Sequence, residues 1–391
     1  MEFINAVAYG YIGFYVYYLL LFAIASRVKR KRENPASRTR INRFAVLFPV
    51  YKEDRVVLES VRTFYDQKYP DNAFDVVVLA DSLQSSTLKE LQSCGARTIV
   101  VEGENRTKAK SLNLALRTLD ASQYDACIVF DADNIVGPHF LSDVNKEFNA
   151  GAIALQCHRV AKNLNTPIAF LDALSEEIAN STLRKGHRVL GLSSGLIGSG
   201  MAFDYAVFKY VMYGIHATNG FDKDLEFALF KNDIEIEYAD HILVYDEKVQ
   251  SADVLQHQRT RWFAAQWKNI RKGYRSLREN FTVDGLNKWL QMIMLPRVFL
   301  LTASFLCTLA AGLSGSFTVV QQWIQLDILL IAAFFIAIPN TLYRKELVNA
   351  IFALPRAIRA LLGAVLNIKS ANKGFLHTPH STSTISIPAG K

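Results

Sequence analysis

The chain has 391 residues and a formal net charge of +8, with 50% hydrophobic and 20% charged residues. It is too apolar for a disordered chain and too charged for a pure membrane bundle, and it leaves roughly a hundred residues or more beyond one ordinary globular domain. A soluble domain flanked by membrane segments is expected. No basic stripe interleaved with aromatics is evident, which argues against a nucleic-acid partner.

The first element is an apolar run from Phe3 to Ala25, uncharged after Glu2 and of the ~20-residue length a membrane helix needs. Arg27, Lys29, Arg30, Lys31 and Arg32 follow it. A signal peptide carries its positive charge before the apolar run, whereas here the charge comes after. The pattern predicts an anchor over 1–26 and a basic cytosolic linker over 27–42. The rest of the chain would then lie at the inner face of the plasma membrane.

A soluble domain is expected over 43–288. Phe44–Phe48, Val76–Leu79, Thr98–Val101 and Cys127–Phe130 are short apolar or β-branched runs of the kind buried on both faces of a parallel sheet. Asp54–Tyr65, Thr87–Cys94 and Ala109–Leu119 fit the crossover helices. This βαβ pattern places ligands at the C-terminal ends of the strands. Cys94, Cys127, Cys157 and Cys307 form no CxxC pair and read as reduced thiols.

Membrane character returns over 289–345, as a hairpin of Leu290–Leu313 and Trp323–Leu342 around a Gly/Ser turn. Residues 346–369 alternate apolar side chains with Arg356 and Arg359, predicting an amphipathic interfacial helix, with a third C-terminal span as the alternative. Residues 370–391 form a cytosolic tail.

The chemistry-bearing residues follow the strand ends. The first strand runs into Val50-Tyr51-Lys52-Glu53, the second into Asp81 and the fourth into Asp131-Ala132-Asp133; the third leads on to Lys108 and Asn113. Singly, each carboxylate reads as readily as a helix cap; as a set on one sheet edge they do not. Asp131 and Asp133, two apart in an extended segment, would point the same way and share Mg²⁺ or Mn²⁺ with phosphate oxygens. Gly191–Met201 is rich in Gly and Ser and allows close backbone approach, but lacks the lysine and spacing of a P-loop. Asp222 and Asp224 open a helical pattern, where a base for an acceptor hydroxyl could stand. Gln258, Arg261 and Trp262 combine a phosphate-binding guanidinium with a sugar-stacking ring.

The order Pro49–Glu53, Asp81, Lys108–Asn113, Asp131-Ala132-Asp133, Gly198–Met201, Asp224-Leu225-Glu226 and Gln258-x-x-Arg261-Trp262 resembles the membrane-bound family-two glycosyltransferases, among them cellulose, chitin, hyaluronan and chitooligosaccharide synthases. The resemblance implies a GT-A fold: a Rossmann-like, mainly parallel mixed sheet with membrane helices at both ends. Val50, Tyr51, Glu53, Asp81 and Lys108 would hold the nucleotide of a UDP-sugar. Asp131 would contact donor and metal, Asp133 the metal, and Gly200 would belong to the sugar-facing loop. Gln258, Arg261 and Trp262 would hold the diphosphate and the acceptor sugar. Phe375, Thr378 and His380 partly match a gating loop that closes over the donor. Lys223-Asp224 stands where the family has Glu-Asp. Asp224 is preferred as base for the residues that follow it, and Asp222 stays open.

These residues would catalyse one inverting displacement onto a growing glycan or lipid-linked saccharide, for cell-surface or extracellular polysaccharide. The bilayer and synthase or export proteins are the expected partners. Three C-terminal helical segments at most make a small membrane part, closest to the chitooligosaccharide synthases. A single-addition glycolipid synthase and a non-catalytic donor-binding subunit are the other classes compatible with the motifs.

Overall fold

A computed structural model describes residues 2–30, 40–103, 107–216, 220–313 and 315–368. The chain opens with helix α1 (Glu2–Ala25). A βαβ succession follows: β1 (Phe44–Tyr51), α2 (Val57–Arg62), β2 (Phe74–Asp81), α3 (Ser85–Ser93), β3 (Arg97–Val100), α4 (Lys108–Thr118) and β4 (Ala126–Val129). The expected strands and crossover helices are all present, their boundaries shifted by a few residues. Continuous apolar runs suit β1, β2 and β4 because each is buried on both faces. Phe48, Phe64 and Phe130 pack below the site with ring centroids 5.2–5.6 Å apart.

The second half of the domain introduces antiparallel pairs beside a parallel one. It contains β5 (Ile135–Val136), α5 (Phe140–Asn149), β6 (Ala154–Ala161), α6 (Pro167–Ala179), α7 (Gly186–Val189), β7 (Met201–Asp204), α8 (Tyr205–Tyr213), α9 (Phe221–Lys231) and β8 (Ile236–Asp246). The described strands form one eight-stranded sheet in the order β3-β2-β1-β4-β7-β6-β8-β5. β1 is parallel to both β2 and β4, and β6 to β8, while β7 is antiparallel to β4 and β6. The chain direction therefore reverses between β4 and β7, and there the ends of β1 and β4 meet the loop before β7. This is the mixed, mainly parallel GT-A-like sheet.

The C-terminal helices are α10 (Ala252–Glu279), α11 (Val283–Ile293), α12 (Arg297–Leu313), α13 (Phe317–Ala337) and α14 (Glu346–Leu366). Three helices, α1, α13 and α14, are long and apolar enough to cross a membrane. The pair α11–α12, bent by 61°, adds a fourth candidate if it is one broken span. α1, α12 and α13 share an apolar core around Tyr15, Leu19, Leu300, Trp323 and Leu330. Arg27 donates to the carbonyls of Ile336 and Ile338, so α1 and α13 end on the same side.

That side faces the sheet domain. A Cβ at Gly186 would stand 2.2 Å from the Phe22 carbonyl oxygen, so glycine alone allows α7 this approach to α1. Tyr18 donates to Asn287 Oδ1 at 2.7 Å and lies 2.9 Å from His187 Nε2. α14 leaves the bundle and lies along α6 and α10, with Ala357, Ala360 and Ala364 buried and Phe352, Leu362, Val365 and Leu366 exposed.

Candidate active site

The register pairs Tyr51 with Asp81 at the C-terminal ends of β1 and β2. The next residues, Lys52 (φ 57°) and Ser82 (φ 60°), both take the left-handed region that non-glycine residues rarely adopt. The Lys52 N–H donates to the Asp81 carbonyl at 3.1 Å, and Ser82 Oγ to Asp81 Oδ1 at 2.9 Å. Two sharp turns thus leave Tyr51 half-buried at the rim, beside the buried Glu53 and Asp81. The Val50 side chain belongs to the core instead, at 2% exposure.

β4 ends at Val129, and residues 131–134 form a turn. The Asn134 N–H donates to the Asp131 carbonyl at 3.2 Å, and the Asp131 N–H to Asn134 Oδ1 at 3.0 Å. This corrects the extended geometry expected for Asp131-Ala132-Asp133: the Asn134 side chain satisfies the backbone locally, and the two carboxylates have different surroundings. Asp131 is ion-paired with Lys108, and Arg159 Nη1 lies 3.9 Å away. Asp133 is buried, and its Oδ2 accepts the Glu247 N–H at 2.8 Å.

Gly198 and Gly200 close the edge from the other side. Lys108 Nζ donates to the Gly198 carbonyl at 2.7 Å as well as to Asp131. Gly200 has φ 59°, and a Cβ there would meet Val244 Cγ2 at 3.0 Å. The fourth wall is α10. Gln258, Arg261 and Trp262 stand three and four residues apart and share a face. Burial lowers the Arg261 pKa, and the Asp131 charge partly offsets this, so the two groups sense each other; the guanidinium stays charged at neutral pH. The Gln258 Oε1 is buried with no hydrogen-bond partner among the described residues. Trp262 is 45% exposed, with the Arg259 guanidinium 3.9 Å from its ring centroid.

Asp222 and Asp224 fall on different sides of α9, since two residues turn a helix by about 200°. Asp222 pairs with Lys223 at 3.0 Å, and Lys223 also donates to the Leu196 carbonyl at 2.7 Å, on the loop that holds Gly198. Phe221 lies under the Lys108 ammonium, 5.6 Å from ring centroid to Nζ. Burial would raise the Asp222 pKa, but Lys223 outweighs it and the carboxylate is held below its ordinary value. Asp224 faces α10 instead, paired with Lys272 at 2.8 Å, in a cavity of about 300 Å³ lined also by Val211, Ile215 and Ser276. Lys272 is eleven residues beyond Arg261, about 16 Å along the helix.

A buried ionic network under the site escaped the sequence reading. Arg159 on β6 donates to Glu176 at 2.6 Å and to Ser199 Oγ at 3.3 Å, and lies 3.6 Å from Asp246. Lys248 pairs with Asp246 at 2.7 Å and with Glu176. Lys162 donates to the Asp133 carbonyl at 3.1 Å. The available signal was the charged triplet Asp246-Glu247-Lys248, which begins at the last residue of β8. Phe375, Thr378 and His380 lie outside the described residues.

Among the described residues, no three His, Cys, Asp or Glu side chains converge on a closed metal site. Asp131 and Asp133 on one turn suit a hard cation whose other positions are filled by phosphate oxygens and water, as Mg²⁺ prefers. Lys108, Arg159 and Arg261 around Asp131 suit a diphosphate.

Residues 42–265 match the family model described as "Glycosyltransferase like family 2". The chain belongs to this family. The match covers more than half of its length, so the sheet and its loops form a glycosyltransferase domain. The mannosyltransferase PcManGT from Pyrobaculum calidifontis, in complex with GDP-Man and Mn²⁺, is similar in fold: TM-score 0.60 at 16% identity, covering 95% of this chain and 99% of that one. S. aureus TarS 1–349 aligns at 15% identity over 85% of this chain and 90% of that one, with a TM-score of 0.39. Glucosyl-3-phosphoglycerate synthase from Mycobacterium tuberculosis, in complex with Mn²⁺, UDP and glucosyl-3-phosphoglycerate, aligns at 14% identity over 58% of this chain and 80% of that one, with a TM-score of 0.40. No curated protein matches the chain at a significant level.

Proposed function

We propose that this member of glycosyltransferase family 2 is a membrane-anchored, inverting transferase that moves a sugar from a nucleoside diphosphate donor to a saccharide acceptor at the bilayer. The observation that carries this reading is the convergence of Asp131, Lys108, Arg159 and Arg261 beside Asp133 at the sheet's reversal point. Tyr51, Glu53 and Asp81 stand ready for the nucleotide, and Lys108, Arg159 and Arg261 for the diphosphate. A divalent cation on Asp133 and Asp131 would neutralise the diphosphate leaving group. The orphaned Gln258 Oε1 and the Trp262 ring offer an acceptor sugar a hydroxyl partner and an apolar face.

Asp222 is proposed as the base in place of Asp224. Its support is the tie from Asp222 through Lys223 to the Leu196–Gly198 loop, whereas Asp224 is bound to Lys272 a long way down α10. Asp222 takes the acceptor hydroxyl proton as that oxygen attacks the anomeric carbon, and the bond to the diphosphate breaks. The basic residues Arg27, Lys29 and Arg30 after α1 support a cytosolic site. Proton NMR of the first-formed product tests the mechanism: an anomeric coupling opposite to the donor's is expected, and a retained configuration overturns it. A ladder of products identifies a glycan-extending enzyme, and a single lipid-soluble product a glycolipid synthase.

A further inference from the structure

α10 carries a second charged surface beyond the Gln258–Trp262 turn. Lys268, Arg271, Lys272 and Arg275 recur at three- and four-residue spacing and are all exposed. They line a groove of about 430 Å³ with Ala264, Trp267 and Ile368. Linear reading missed this stripe, because the helical period, and not adjacency in sequence, gathers it onto one face. Lys272 is balanced by Asp224, but among the described residues Lys268, Arg271 and Arg275 have no carboxylate partner. The groove thus holds three uncompensated cations.

Two neighbours give the groove its context. Trp267 is 65% exposed, with the Arg271 guanidinium 5.9 Å from its ring centroid, a ring type that favours the membrane–water boundary. Ile368 continues from the end of α14, whose exposed side chains there, Leu362, Val365 and Leu366, are apolar. Cations beside a tryptophan and an apolar edge match an anionic headgroup with acyl chains attached. The chain's own last residues do not match, because 369–391 contain Lys369, Lys373 and Lys391 but no Asp or Glu.

We propose that Lys268, Arg271 and Arg275, with Trp267, form a binding groove for the phosphate headgroup of an anionic membrane phospholipid. The groove holds α10 and α14 against an acidic leaflet. The groove is set apart from the donor-binding turn along the helix: Lys268 and Arg275 stand seven and fourteen residues beyond Arg261, about 10 and 21 Å along α10.

Native mass spectrometry of the full chain in detergent tests this, with dioleoylphosphatidylglycerol, dioleoylphosphatidylcholine, inorganic phosphate and a single-stranded oligonucleotide as probes. The wild type is expected to retain the anionic lipid at least about tenfold better than the zwitterionic one. The Lys268→Gln/Arg271→Gln/Arg275→Gln variant is expected to lose that preference while keeping its melting temperature. The charge-retaining Arg271→Lys/Arg275→Lys variant is expected to keep it. Equal retention of the two lipids, or a preference unchanged in the triple variant, overturns the proposal. Displacement of the lipid by equimolar phosphate or oligonucleotide overturns the membrane as the source of the ligand.

Discussion

Asp222 and Asp224 are two positions apart in sequence and on opposite sides of α9. Sequence matching preferred Asp224 for the residues that follow it, and no linear pattern reveals which side of a helix meets a loop folded back from residues 191–201. The geometry separates their predicted phenotypes. Asp222→Asn is expected to lower kcat by about 10²–10⁴ with donor binding intact. Asp224→Asn removes a partner of Lys272 and is expected to leave kcat within a few-fold of wild type. Steady-state release of nucleoside diphosphate measures both; equal losses would place both acids in the reaction, and the reverse order would restore Asp224 as base.

Arg159 sets a stability prediction at the same scale. Its side chain serves Glu176, Asp246 and Asp131 together, so Arg159→Leu leaves buried carboxylates short of a partner. A cost of about 3–5 kcal/mol is expected, read by thermal melting in detergent. Burial would raise the Glu176 pKa, but Arg159 and Lys248 outweigh it and hold it well below the ordinary carboxylate range. The folded value lies below the unfolded one, so this stabilisation is complete above about pH 5 and is lost progressively as pH falls from there toward the depressed folded value. Melting temperature is therefore expected to drop below about pH 5, and to drop less steeply in the Arg159→Leu variant.

The elements divide by how much of their environment is local. β1, β2 and β4 were legible because burial on both faces writes itself as an apolar run. β6 and β8 carry mixed patterns, with half-buried polar residues in the second half of β6 and exposed ones in the middle of β8, and gave no such signal. Their strand ends supply Arg159 and Asp246, which explains why the buried network went unread. The 131–134 turn was misread as extended because the Asn134 side chain, not the Asp-x-Asp spacing, decides the local backbone. Gly200→Ala tests the loop before β7: left-handed φ and a contact with Val244 at 3.0 Å predict a loss of about 1–2 kcal/mol with weakened donor binding. Gly186→Ala tests the junction with α1, where the added methyl meets the Phe22 carbonyl. A lower melting temperature and faster proteolysis near residues 27–42 are expected; an unchanged protein would show that α7 and α1 are not rigidly docked.

On the scale of the whole molecule, a mixed sheet is joined through α7, α10 and α11 to a small helical bundle, with α14 lying along the domain. The residues on which the family resemblance was read fall at strand ends and on one helix face, positions fixed by the fold. α13 and α14 have similar length and apolarity, and in the sequence only Arg356 and Arg359 set the second apart as an interfacial helix. The tail motif at Phe375, Thr378 and His380 lies outside the described residues, and its role is open to truncation after Ile368.

The central claim, sugar transfer at the Asp131–Asp133 edge, is tested most directly by nucleoside diphosphate release from purified protein. The panel should include UDP- and GDP-linked sugars, each with Mn²⁺, Mg²⁺ or EDTA, beside Asp133→Asn. The account predicts release from one donor class, dependent on metal and reduced by at least about a hundredfold in Asp133→Asn. Metal-independent release, or release unchanged in Asp133→Asn, would contradict it.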